Sequence, residues 1–211
     1  EQITSSALPL TGNKAIGAFM SRQFKLWTPE TPYLYKLHVT LFDGKPDKDR
    51  KIYDDFGKVI DQKTFTVGIR TVRVSKEKGF ELNGVTRKIK GVCLHHDLGP
   101  LGAAVNKAAL IRQIKMMKAM GCDAIRTSHN MPSQMQMDIC DSLGMMVMAE
   151  SFDMWIYPKC KNGYARFFQE WAEKDITNLV KANRNHPSII MWSIGNEIPE
   201  QWSEISRSEE R

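Results

Sequence analysis

Cysteine is scarce in this chain of 211 residues: Cys93, Cys122, Cys140 and Cys160 stand far apart, and no two form a CxxC pair. That spacing excludes a disulfide framework and a thiolate zinc site, and it reads the four as small core residues. No apolar run approaches the ~18 residues needed to cross a bilayer as a helix. The segment Glu1-Gln2-Ile3-Thr4 lacks the charged-then-apolar build of an export signal. A chain that neither spans a membrane nor carries its own export address is expected, with the compartment of any longer precursor left open. The net charge of +6 is spread over stretches such as Lys45 to Lys51 and Arg70 to Lys90, without aromatic residues interleaved along one face. That describes a solvated basic surface and no nucleic-acid partner. Internal repeats and low-complexity tracts are missing too, which excludes solenoid architectures. Met116, Met117, Met120, Met145, Met146 and Met148 fall on apolar positions of periodic segments, so they read as core filling and not as a soft-metal site.

What is present is 42% hydrophobic content, enough for one large or two small domains. Up to about residue 75 the periodicity is two. Tyr33 to Phe42 runs into the turn Asp43-Gly44-Lys45-Pro46, and Lys63 to Arg70 supplies a second alternating segment. Residues 1–75 are therefore expected to form part of an immunoglobulin-like β-sandwich, with too few strands before Trp27 for a complete one. Phe80 to Val85 predicts a hairpin turning on Asn83-Gly84.

From Arg87 the pattern alternates between strand and helix. Strands are predicted at Arg87 to Leu94, Ala124 to Thr127, Met145 to Ala149 and Ile189 to Ile194. Helices are predicted at Asn106 to Met120, closed by Gly121, at Ser133 to Leu143, closed by Gly144, and at Ala165 to Asn183. These are βα units, and residues 76–211 are expected to be the first half of a (β/α)8 TIM barrel. The fold class is thus multidomain, β followed by α/β.

Each predicted strand delivers polar groups to its C-terminal tip, where parallel barrels carry their chemistry. The first tip brings His95-His96-Asp97 and the second Arg126 with Ser128-His129-Asn130. The third brings Glu150 and Asp153, and the fourth Asn196-Glu197. A Glu at such a tip suits a proton donor. To be protonated at neutral pH, Glu197 would need partial burial beside Trp192 and a second carboxylate close by. Asn196 could donate to a sugar hydroxyl. The alternative for Asn196-Glu197 is a solvated helix N-terminus. His95, His96, Asp97 and His129 could bind a polyhydroxylated substrate or ligate a divalent metal, as in a metal-dependent barrel hydrolase. Trp155, Tyr157 and Tyr164 could stack on a sugar face, whereas Phe167 and Phe168 read as helix packing. A non-catalytic carbohydrate-binding module is the remaining alternative.

Leu26 to Tyr35, Val67-Gly68-Ile69-Arg70, Lys90-Gly91-Val92 with the following His-His-Asp, Ile125 to Asn130 and Asn185 to Glu197 resemble, in order, the signatures of glycoside hydrolase family 2. This is the β-galactosidase and β-glucuronidase family, and the resemblance covers most of the chain. It implies a retaining, exo-acting glycosidase with Glu197 as catalytic acid/base and Asn196 at the sugar 2-hydroxyl. It also implies Arg126 supporting the nucleophile, and His95 and His129 contacting substrate. Ala149 to Trp155 is similar to the β-galactosidase-like branch and implies Asp153 as a galactose contact, so a β-galactoside is the expected substrate and a glucuronide the alternative. The branch's metal-binding Glu-x-His is absent, because Phe152-Asp153-Met154-Trp155 contains no His. No cofactor is expected, and the departure argues against Mg²⁺. The family's nucleophile belongs to a seventh barrel strand beyond Arg211. The chain is therefore expected to be an inactive piece of a bacterial enzyme, periplasmic, secreted or cytoplasmic, whose open sheet edges favour self-association.

Overall fold

The structure, a computed structural model, describes residues 8, 12–18, 24–44 and 57–199. The basic stretch Lys45 to Lys51, the second half of the turn at Asp43 to Pro46, and Glu1 to Thr4 lie outside those residues. Strands β1 (Tyr35–Phe42) and β2 (Val59–Val67) pair antiparallel, Tyr35 opposite Val67 and Leu41 opposite Asp61. These are the two alternating segments. Among the described residues no further strand pairs with them, and Val39, Leu41, Ile60 and Phe65 remain exposed.

Strands β3 (Val72–Ser75), β4 (Gly79–Leu82) and β5 (Val85–Thr86) form a second antiparallel sheet. Asn83 and Gly84 take φ of 54° and 77°, the left-handed pair that an Asn-Gly hairpin turn requires. The division expected between residues 75 and 76 falls in the turn joining β3 to β4, because the two strands pair from Val72↔Leu82 to Ser75↔Gly79. Phe80 and Leu82 pack with Trp27, Ala124 and Met146 at the beginnings of the parallel strands.

Those strands are β6 (Gly91–His95), β7 (Ala124–Ser128), β8 (Met146–Glu150) and β9 (Ile189–Ser193), hydrogen-bonded in chain order and all parallel. Between them run α1 (Lys107–Ala119), α2 (Gln134–Leu143) and α3 (Ala165–Asn183). The side chains of Asn106 and Ser133 accept the Ala109 and Gln136 amides and so cap α1 and α2. Leu94, Leu110, Ile114, Ile125, Met137, Val147 and Leu179 form one core between helices and sheet. Met145 and Met146 are buried as expected, but Met116 and Met120 are exposed. The helical period that brings Ile114 inward turns these two to the outer face of α1. Of the cysteines only Cys140 is fully buried, while Cys93 and Cys160 are exposed and all four are free thiols. Cys93 is on β6 opposite Arg126, on the face of the sheet away from the helices, and Cys160 lies in the segment between β8 and α3.

The N-terminal residues fasten onto the beginnings of the parallel strands. Trp27 is fully buried, and its indole N–H donates to the Asp141 carbonyl at 2.9 Å. Arg70 donates through Nε to the Pro187 carbonyl at 2.8 Å and through Nη2 to that of Ile189. Lys118 Nζ reaches the carbonyls of Pro29, Leu143 and Gly144, satisfying acceptors that the end of α2 would otherwise leave open.

Gly144 closes α2 at φ 71°, and a Cβ there would lie 2.3 Å from the Pro29 carbonyl oxygen. Both the left-handed backbone and the contact require glycine. Gly144→Ala is expected to destabilise the protein by more than about 1 kcal/mol, read from urea denaturation. An unchanged midpoint would mean that this close approach is not made in solution.

Candidate active site

Strand register explains which side chains meet. Arg126 on β7 lies opposite Cys93 and Met148, and Glu150 on β8 lies opposite Ser193. Alternate residues share a face, so Arg126 and Glu150 point the same way with Arg126 one pair further down. Its long side chain bridges that step. Nε donates to Glu150 Oε2 at 2.6 Å and Nη2 to Oε1 at 2.9 Å, a two-pronged ion pair. Glu150 also accepts from Ser193 Oγ at 2.6 Å and faces His129 Nδ1 at 2.7 Å. Because a carboxylate only accepts, His129 carries its proton on Nδ1, and Nε2 is the ring's remaining polar atom.

Glu150 is fully buried. Four donors fill its roughly four lone-pair sites, so it has no free lone pair for attack or proton transfer. It serves as an anchor for the groups around it. The sequence places Glu150 at the third tip but assigns it no role, since its partners lie on β7, on β9 and in the loop after β7.

From this hub the network reaches the fourth tip. Arg126 Nη2 donates to Asn196 Oδ1 at 2.9 Å, and Asn196 Nδ2 donates to Asp153 Oδ1 at 3.1 Å. The Asn196 backbone N–H donates to the Phe152 carbonyl at 3.0 Å. Phe152 has φ 73° and Glu197 φ 49°, a region that side-chain-bearing residues rarely occupy. The two left-handed residues stand on neighbouring tips joined by that bond, and Phe152 is held by stacking on Tyr164 and edge contact with Phe168. Strain of this kind persists only where surrounding contacts impose it.

Glu197 does not occupy the partly buried position expected beside Trp192: its side chain is 80% exposed and lies 3.4 Å from Lys159 Nζ. The left-handed turn directs it off the strand, and Trp192, one face over on β9, is itself exposed. Lys159 also donates to Asp153 Oδ1 at 3.2 Å and to the Asn196 carbonyl at 2.8 Å. Burial pushes the Asp153 carboxyl up, but hydrogen bonds from Asn196 and Lys159, with the charges of Lys159 and His129, outweigh it and hold the group below the usual carboxylate range.

The first tip divides. The His95 ring meets that of His129 edge-on at 5.0 Å between centroids, so it belongs to this cluster. His96 and Asp97 line a small cavity beside Leu98 and Gln113, which His95 also borders, and Asp97 Oδ1 accepts the Gly99 amide. Burial pushes His96 below the usual imidazole range, opposed by a hydrogen bond to the Asn130 backbone carbonyl and aided by His95. His95, His96, Asp97 and His129 do not bring ligand atoms together. Among the described residues the one trio that does is Asp138, Asp141 and His186. There Asp141 is already engaged by His186 at 2.6 Å and by the Ser188 amide. Of the aromatic candidates, Trp155, Tyr164 and Phe168 pack together with Phe152, whereas Tyr157 and Phe167 are exposed.

Arg126, His129, Asp153, Asn196, Glu197 and His95 are thus assembled on the rim formed by the strand tips, with Glu150, Ser193 and Lys159 added to them. Such a rim offers the solvent-facing Glu197 carboxylate and the half-buried one of Asp153 beside an amide, two imidazoles and two ion-paired cations, a set able to bind hydroxyl groups and to transfer a proton at Glu197.

Comparison with known proteins finds the domain family "Glycosyl hydrolases family 2, TIM barrel domain" matched over residues 72–206 and "Glycosyl hydrolases family 2" over residues 2–70. Beta-galactosidase BoGH2A of Bacteroides ovatus is 48% identical over 183 residues, covering 87% of this chain and 20% of that protein. A crystal structure of a beta-glycosidase from Bacteroides vulgatus superposes with a TM-score of 0.78 at 42% identity, covering 89% of this chain and 23% of that one. The beta-glucuronidase of Bacteroides uniformis gives a TM-score of 0.64 at 31% identity, covering 83% and 19%. The chain spans about a fifth of the length of the proteins it matches.

Proposed function

The chain belongs to the glycosyl hydrolases of family 2, and on that premise we propose that it is part of a retaining, exo-acting β-glycosidase that removes terminal β-D-galactosides. In this reading β6 to β9 are the first half of a (β/α)8 barrel, and β1 and β2 belong to an immunoglobulin-like domain before it. Glu197 is the general acid/base, Asn196 the hydrogen-bond partner of the sugar 2-hydroxyl, and His95, His129 and Asp153 further sugar contacts. Arg126, fixed by Glu150, orients Asn196. The observation that carries this is the continuous chain of hydrogen bonds from His129 through Glu150 and Arg126 to Asn196, which ends one residue from a solvent-facing carboxylate.

Retaining glycosidases use a second carboxylate as nucleophile. Glu150 is saturated and Asp153 is tied to Asn196 and Lys159, so the nucleophile is assigned to a part of the whole protein outside the described residues. Galactoside is favoured over glucuronide because, among the described residues, the two cations found on this rim are already neutralised, Arg126 by Glu150 and Lys159 by Asp153 and Glu197. Neither offers an unpaired charge to a sugar carboxylate. Mg²⁺ has no place in this reading, since the Lys159 ammonium already stands between the Asp153 and Glu197 carboxylates.

Proton NMR of the full-length protein acting on nitrophenyl β-galactoside tests the proposal. The first product signal is expected to be β-galactose, with the corresponding glucuronide turned over far more slowly. First appearance of the α-anomer, or preference for the glucuronide, would overturn it.

A further inference from the structure

We propose that Lys159 is a positioning residue for the acid/base carboxylate, holding the Asn196-Glu197 turn from both sides with one ammonium group. The inference rests on the role assigned to Glu197 above. An ammonium has three N–H donors, and the three acceptors here come from three consecutive functions of the rim. They are the Asp153 carboxylate at 3.2 Å, the Asn196 backbone carbonyl at 2.8 Å and the Glu197 carboxylate at 3.4 Å. Two of these flank the Glu197 φ of 49°. A left-handed glutamate opposes its own backbone preference, so something must hold it. Among the described residues Lys159 is the group that the Glu197 carboxylate meets, and its exposure leaves many rotamers open.

As a plain surface ion pair the contact with Glu197 would contribute little. The bond to the Asn196 carbonyl changes that, because it fixes the peptide that sets the direction of Glu197 even when the carboxylate itself moves. Asp153 completes the arrangement. It accepts from Lys159 and from Asn196 Nδ2 on the same oxygen, so the lysine, the amide and the turn are locked as one unit. The loop that supplies Lys159 is anchored in turn by Trp155, whose indole N–H donates to the Ile194 carbonyl at 2.8 Å. Lys159 transfers no proton here and touches no substrate; it acts through Glu197.

The test compares Lys159→Met and Lys159→Arg with Glu197→Gln in the full-length protein, using kcat/KM for two β-galactosides. One carries a methyl leaving group that must be protonated, and the other carries dinitrophenolate, which leaves without a proton. Lys159→Met is expected to lower kcat/KM on the methyl galactoside by about 100-fold, the effect of displacing a catalytic group by about 1 Å. It should leave the dinitrophenyl value within about threefold, and Lys159→Arg should recover most of the loss. An equal loss on both substrates, or no loss on either, overturns the role of Lys159. If Glu197→Gln itself shows no dependence on the leaving group, the reading of Glu197 falls and takes this inference with it. If Glu197→Gln shows that dependence and Lys159→Met does not, only the lysine is misassigned.

Discussion

Glu197→Gln in the full-length protein is expected to lower kcat/KM on galactosides with poor leaving groups by about 10²- to 10⁴-fold. Glutamine matches the carboxyl in shape and can keep a hydrogen bond to Lys159, but it has no proton to give to the departing oxygen. The loss should therefore scale with the leaving group's need for that proton, falling away on dinitrophenyl galactoside. Because the side chain is 80% exposed, the substitution should leave the melting transition where it was. Surface replacements away from buried networks stay within about 0.5 kcal/mol. A similar loss on every substrate, or a large fall in stability, would show that Glu197 is not the donor.

Glu150→Ala is expected to be the most destabilising change at the rim, by about 3–5 kcal/mol, as when one member of a buried ion pair is removed. Four donors lose their acceptor at once: Arg126 Nε and Nη2, His129 Nδ1 and Ser193 Oγ. The cost is greatest at Arg126, whose side chain is only 28% exposed and which cannot shed its charge. Activity should fall with stability, since Arg126 would no longer hold Asn196. Glu150→Gln separates the two effects: its amide fills the same volume but sets an N–H against one of these donors and removes the ion pair. Urea denaturation of both variants, with kcat/KM measured well below the melting temperature, checks the expectation. A Glu150→Ala protein as stable as the parent would mean that the network contributes no net stabilisation.

The elements of the parallel sheet were legible because their ends carry local chemistry. Asn106 and Ser133 cap α1 and α2, and Gly144 ends α2 in the left-handed conformation, within reach of sequence alone. The rim was legible in outline, since period two and a parallel order place every strand tip on one side. What could not be read was which tip groups are spent on one another. Glu150 looks like any other acid at a strand end until register sets it beside Ser193 and below the reach of Arg126. Lys159 lies in an aperiodic loop with Lys161 close by, and nothing local distinguishes the two. The burial expected of Glu197 came from what a proton donor needs and not from any local pattern, and the backbone that turns left-handed at residue 197 leaves the side chain in solvent. His96 and Asp97 were grouped with His95 by adjacency, yet Asp97 is drawn off to cap Gly99.

Trp27, Arg70 and Lys118 all grip carbonyls at the starting ends of the strands, and none of their bonds touches the residues around Glu150. Foundations and chemistry therefore lie at opposite poles of the sheet. A substitution in the loop bearing Lys159 can alter the rim without breaking any of these bonds.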